Sequence, residues 1–163
     1  MTEKIWLTPV DEQILEPLLA VAVAEADPDE VMPPVPAPPG WSPERRDAFR
    51  QFQRASFGGL DGPTGNQMYA IVSESGPLGV IRMARCDEPD TVETGIWLAR
   101  SARGRGTATI ALRLLLFEAA RAGACVVVAE TTAGNAPALG LLRRFGAVLR
   151  PGGGDAVRAE FQL

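Results

Sequence analysis

The chain has 163 residues, 46% of them apolar and 22% charged, with a net charge of −4 at pH 7; this is ordinary globular composition, and one domain over residues 1–163 is expected. It contains no histidine, which excludes His-dependent catalysis, and Cys86 and Cys125 stand far apart without metal-like spacing, so no metal site is expected. The apolar stretch "ILEPLLAVAVAEA" from Ile14 is interrupted by Glu16 and Pro17 and has no basic front, so a cytoplasmic protein with no membrane or nucleic-acid partner is expected.

"KIWLTPV" (4–10) predicts a first strand, and a helix follows from Asp11 to Glu25, with Pro17 tolerated only in an early turn. Five prolines within residues 33 to 39 then force an extended, irregular connection. Ser42 and Pro43 supply the N-cap and first-turn proline of a helix through Ala55, and "GGLDGPTGN" is a loop. "MYAIVSES", "LGVIRMARC" and "TVETGIWLA", separated by "GP" and "DEPD", predict an antiparallel meander.

Beyond the meander the pattern alternates between helix and strand. Thr107 to Ala122 is helical, with Ile110, Leu114 and Phe117 on the face expected to meet a sheet. "ACVVVAETT" (124–132) has the continuous β-branched run of a central strand, Asn135 and Pro137 start a helix that Gly146 stops, and "AVLR" and "AVRAEFQL" form a closing hairpin across "PGGGD".

Charge is unevenly spread. Up to Gly40 the only base is Lys4, whereas eight arginines lie between Arg100 and Arg150 against Glu118 and Glu130. This predicts an anionic ligand for the basic part and a cationic one for the acidic part. "RGRGTA" (103–108) sharpens the first expectation. A glycine-rich turn entering a helix points backbone N–H groups at the positive end of the helix dipole, a phosphate site to which Arg103 and Arg105 add charge. A Walker loop needs a lysine, and Lys4 is the only one; a dinucleotide fingerprint needs a third glycine where Thr109 stands.

The remaining phosphate-binding pattern is a family one. "RGRGTA" resembles the Q/R-x-x-G-x-G/A loop of the GNAT superfamily of N-acetyltransferases through Arg103, Gly106 and Ala108, and "NAPALGLLRRFGA" resembles its downstream motif through Asn135, Ala138 and Gly146. "TGIWLARSARGRGTA" looks most like the RimI and RimJ/RimL type. The resemblance implies an α/β (α+β) GNAT fold: a mixed, mostly antiparallel sheet of about seven strands, flanked by helices and splayed between strands four and five. It also implies acetyl-CoA as cosubstrate, bound by Trp97, Leu98, Arg103, Gly104, Arg105, Gly106, Thr107, Ala108, Asn135 and Ala138. Gly95 is the expected bulge residue of the fourth strand, whose backbone N–H groups would serve the developing oxyanion.

Glu130, breaking an apolar strand five residues before Asn135, is the candidate base, with Glu93 as its rival; each is also compatible with a plain surface role. The family's acidic tyrosine is replaced by Leu142, and its phenylalanine after the glycine by Ala147. Asp27, Asp29 and Glu30, with Trp41 and Phe49 as walls, are candidates to receive a cationic acceptor. Two functions stay open: an acetyl-CoA-dependent N-acetyltransferase, monomeric or homodimeric, acting on a cationic small molecule or a peptide N-terminus, and a catalytically weak acetyl-CoA-binding module.

Overall fold

The computed structural model describes residues 3–163. Its elements, in chain order, are β1 (Trp6–Pro9), α1 (Glu12–Glu25), α2 (Pro28–Val31), α3 (Pro43–Arg54), β2 (Asn66–Ser73), β3 (Gly76–Arg85), β4 (Thr91–Leu98), α4 (Thr107–Arg121), β5 (Val126–Thr132), α5 (Ala136–Arg144), β6 (Val148–Pro151) and β7 (Ala156–Gln162). The strands form one sheet in the order β1-β2-β3-β4-β5-β7-β6. Every pairing is antiparallel except β4 with β5, which is parallel. This is the mixed seven-stranded sheet that the resemblance implies.

Alternation along the strands divides the core in two. Met68, Ala70, Val72, Val80 and Trp97 face α1 and α3, where Leu15, Leu18, Ala22 and Phe49 are buried. Tyr69, Ile71, Ile81, Met83, Val92 and Val127 face the other way, onto Ala111, Leu112, Leu115 and Ala119 of α4. Burying a leucine of this kind contributes roughly 1.5–3 kcal/mol, so both helix layers are held mainly by apolar contact. Asp11 caps α1 by accepting from Gln13 N–H and Ile14 N–H, and Ser42 caps α3 by accepting from Arg45 N–H.

Three expectations are corrected and one element is added. Pro17 lies in the second turn of α1 and the helix continues through it, giving up one backbone bond while Leu15, Leu18 and Leu19 remain buried. The sheet-facing side of α4 is Thr107, Ala111, Leu112, Leu115 and Ala119; Phe117 is 63% exposed. α2, inside the acidic stretch, is an additional element closed by a capping box between Asp27 and Glu30. The register of β3 with β4 runs without a shift through Arg82↔Gly95, and the irregularity in the meander lies instead between Ile71 and Val72.

The feature that positions the site is the short pairing of β4 with β5. It covers only Thr91↔Val126 to Thr94↔Ala129, and beyond these residues the two strands separate. Gly95–Leu98 on one strand and Glu130–Thr132 on the other therefore border an opening in the middle of the sheet.

Candidate functional site

Two clefts reach this opening from opposite faces. On the α4 side, a cleft of about 250 Å³ is lined by Thr94, Gly95, Ile96, Leu112, Ala129, Glu130, Thr131, Asn135, Ala138 and Leu142, among others. On the α1–α3 side, one of about 480 Å³ is lined by residues that include Glu30, Met32, Gln53, Asn66, Arg82, Gly95, Ile96 and Trp97. Gly95 and Ile96 belong to both, so the two cavities meet at the backbone of β4.

The opening offers backbone donors. The N–H of Ala99 bonds to Leu78 O on the β3 side. Because an antiparallel ladder turns alternate residues toward each neighbour, the N–H groups of Ile96 and Leu98 point the other way, into the gap that β5 has left. Uncommitted donors beside a partly enclosed cleft are suited to an oxygen that gains negative charge.

A second set of donors stands at the start of α4. Gly106 is its N-cap and supplies no side-chain hydrogen bond to the first turn, so the helix's leading N–H groups are free of intrahelical partners. Gly104 (φ +71°) and Gly106 (φ +82°) both take the left-handed conformation, and a Cβ on either would meet nothing within 4 Å. The glycines are thus required by backbone conformation, with open space in front of them. Arg105 Nη1 donates to Ser101 O at 3.3 Å and Arg103 Nε to Leu98 O at 3.2 Å, which leaves further guanidinium donors at the rim. An arrangement of this kind can hold a phosphate or pyrophosphate group.

α5 closes the same cleft. Asn135 Oδ1 accepts from Ala138 N–H at 3.2 Å and caps the helix, while Leu142 is buried and presents an apolar wall where the motif's tyrosine would stand.

The two candidate bases differ in place and in partners: Glu130 borders the opening, whereas Glu93 lies in the paired stretch of β4, opposite Val128. Glu130 is exposed near the end of β5, opposite Arg158 of β7 in register, and has no hydrogen bond or ion pair with another described residue; Arg158 pairs with Glu88 and Glu160 instead. Glu93 points to the α1–α3 face and accepts from Arg82 Nη2 at 2.8 Å. The Arg82 guanidinium passes over Gly95, where a Cβ would stand 3.2 Å from its Nε. The missing side chain of Gly95 therefore makes room for an arginine rather than for a bulge.

The acids of the N-terminal part are paired within the fold: Glu12 with Arg54 and Glu16 with Arg50 of α3, and Asp27 with Arg100 and Glu30 with Arg103 of the basic part. Arg105, Arg113, Arg143, Arg144 and Arg150 have no ion pair among the described residues, so much of the charge asymmetry of the sequence persists in the fold. Of the proposed acceptor residues, Glu30 lines the larger cleft; Asp27 caps α2, and Asp29 is exposed on it. Trp41 Nε1 donates to Ala26 O at 2.9 Å, and its ring meets Phe49 edge-on at 6.1 Å, so this pair fastens the proline-rich connection to the end of α1.

Three polar lining residues escaped the sequence reading: Arg82, Gln53 and Asn66. Gln53 is the most informative, being 1% exposed with neither amide atom hydrogen-bonded; Trp97 Nε1 is likewise buried without a partner among the described residues. Orphaned buried polar groups are uncommon and costly, and these two line one cleft. The available signal was weak: Gln53 stands four residues after Phe49, on the same helix face.

Comparison with known proteins agrees with this geometry. The family described as acetyltransferase (GNAT) domain matches residues 4–148. No curated protein matches the sequence significantly. Among solved structures, RimL, a ribosomal L7/L12 α-N-protein acetyltransferase in complex with coenzyme A, superposes with a TM-score of 0.77 at 18% identity, covering 100% of this chain and 96% of that one. The Salmonella typhimurium acetyltransferase that modifies the N-terminal serine of L7/L12 gives 0.72 at 16% identity, covering 100% and 96%. Campylobacter jejuni N-acetyltransferase PseH in complex with acetyl coenzyme A gives 0.70 at 12% identity, covering 98% and 99%.

Proposed function

The chain belongs to the GNAT acetyltransferase family, and on that premise we propose that it transfers the acetyl group of acetyl-CoA to a primary amine by direct attack on the thioester. The supporting observation is the meeting of two clefts at Gly95 and Ile96 from opposite faces of the sheet. Two substrates entering from the two sides would bring their reacting atoms together there, which gives the proximity that a bimolecular transfer requires.

Acetyl-CoA supplies the electrophilic thioester carbonyl. The chain's residues fit it: the uncapped first turn of α4 with Gly104 and Gly106 offers donors to a pyrophosphate, and Arg103 and Arg105 add charge. Asn135, Ala138 and Leu142 wall the narrow cleft on the α4 side of the opening. The N–H groups of Ile96 and Leu98 stabilise the charge that develops on the carbonyl oxygen. Glu130, whose carboxylate has no competing partner among the described residues, takes the proton from the incoming ammonium, directly or through one water. With leucine at 142, the departing thiolate takes its proton from solvent.

For the acceptor we propose the amine of a cationic small molecule, received in the cleft between α2, α3 and β4. A peptide N-terminus is the second candidate, favoured by the unpaired Gln53 amide and Trp97 N–H, which can bond to peptide groups. Thiol release from acetyl-CoA, followed against polyamines, aminoglycosides and short peptides with product mass as confirmation, tests the reading. Acetylation of one class identifies the acceptor, whereas tight coenzyme A binding with no turnover on any amine would make the protein a binding module.

A further inference from the structure

The corner between α1 and α2 is fastened to the turn before α4 by three contacts. Glu25 Oε1 accepts from Ser101 N–H at 2.9 Å, Asp27 Oδ1 from Arg100 Nη2 at 3.1 Å, and Glu30 Oε2 from Arg103 Nη2 at 3.3 Å. Of these three carboxylates only Glu30 also lines the cleft on the α1–α3 face. Arg103, in turn, opens the glycine-rich run at the start of α4. One ion pair therefore joins a residue of the acceptor cleft to a residue of the phosphate cradle.

We propose that Glu30 is the residue that recognises the positive charge of the acceptor, and that Arg103 covers it until the cosubstrate is bound. The proposal rests on the acetyltransferase reading above and adds a coupling between its two sites. The side chains of Arg103 and Glu30 are 48% and 37% exposed, so their pair is a weak, screened one. A guanidinium beside a pyrophosphate gains charge-assisted hydrogen bonds that an exposed carboxylate cannot match. With a pyrophosphate at the start of α4, Arg103 turns toward it. Glu30 then keeps only the N–H of Asp27, at 3.3 Å within the capping box of α2, and its charge faces the cleft unneutralised. The Glu25–Ser101 and Asp27–Arg100 contacts hold the corner in place meanwhile.

Two consequences follow from this competition. Coenzyme A and a cationic acceptor bind with positive cooperativity, by the same factor in either order. Coenzyme A affinity is also held down by Glu30, since Arg103 must leave it.

Calorimetric titration of coenzyme A and of pantetheine into wild type, Glu30→Gln, Arg103→Ala and the double variant tests this without turnover. Glutamine preserves the capping box of α2, so Glu30→Gln keeps the fold. The expected result is coenzyme A binding tightened about two- to fivefold by Glu30→Gln, the worth of an exposed ion pair. Pantetheine affinity should stay unchanged, and the gain should vanish in the Arg103→Ala background. In steady-state assays the same variant should raise KM for cationic amines with kcat little altered. Coenzyme A affinity that is unchanged or weakened by Glu30→Gln overturns the latch. A wild type that binds no coenzyme A overturns the acetyltransferase reading itself.

Discussion

The two faces of the opening between β4 and β5 are built from different materials. Toward α4, the groups that can hold a ligand are mostly backbone: the first N–H groups of α4, the left-handed Gly104 and Gly106, and the inward N–H groups of Ile96 and Leu98. Toward α1 and α3 they are side chains drawn from distant parts of the chain: Glu30, Gln53, Asn66, Arg82 and Trp97. Under the proposed function the backbone site would receive what every reaction of the protein shares, the pyrophosphate and thioester, and depends on conformation. The side-chain site would receive the acceptor and, Glu30 apart, could be altered residue by residue with little effect on the first.

Substitutions can break or sharpen that contrast. The largest effect is expected at the border between the faces: Glu130→Gln should lower kcat by roughly 10²- to 10⁴-fold, the worth of a positioned base, with coenzyme A affinity unchanged by calorimetry. A similar collapse from Glu93→Gln, with Glu130→Gln active, would move the base to the Arg82 side. On the backbone face, Gly106→Val forces a β-branched residue into the left-handed region at a cost of roughly 1–2 kcal/mol. Coenzyme A binding should weaken about tenfold or more, while circular dichroism shows the fold retained. Arg105→Ala should weaken coenzyme A by about three- to tenfold and leave pantetheine unaffected, since only the former carries the pyrophosphate.

On the side-chain face the expected sign reverses for stability. Gln53→Leu removes two buried unpaired polar atoms at nearly constant volume, which should raise stability by about 1–2 kcal/mol and shift Tm upward by a few degrees, while KM for the acceptor rises. A lower Tm would show that the amide finds partners in the folded protein.

The smallest effect concerns pH. Hydrogen bonds from Ser101, with Arg100 nearby, hold the half-buried Glu25 carboxyl below its ordinary value of 4.5. A lowered folded-state value means that this tie contributes above about 4.5 and is lost as pH falls further. Glu25→Gln should cost a small amount of stability in the neutral range, and its difference from wild type should vanish as pH falls well below 4.5, as pH-dependent thermal melts would show.

The same contrast explains what was legible in the sequence. "RGRGTA" is contiguous, and the demands of a tight turn into a helix are local, so the cradle could be read directly. The Val-rich β5 and the Asn135 cap were legible for the same reason. The acceptor cleft was not, because its residues come from α2, α3 and three strands and share no spacing. The acids Asp27 and Glu30 were visible as charges, but their arginine partners lie 73 residues away. The face of α4 misled because the helix is apolar on several sides. Ile110, Leu114 and Phe117 are periodic, yet the side with Ala111 and Ala119 allows the closer approach to the sheet. At Gly95 the absence of a side chain was visible, but its purpose, space for Arg82 from β3, is a tertiary fact.

Titration of the ¹⁵N-labelled protein with acetyl-CoA, followed by amide NMR shifts, tests the central claim most directly, because the proposed ligands are themselves N–H groups. Large shifts are predicted at Gly104–Ala108 and, in the same titration, at Ile96 and Leu98 across the opening, with Gln53 and Asn66 little moved. Binding that shifts neither the glycine-rich turn nor β4, or that is centred on the α1–α3 face, would contradict the account.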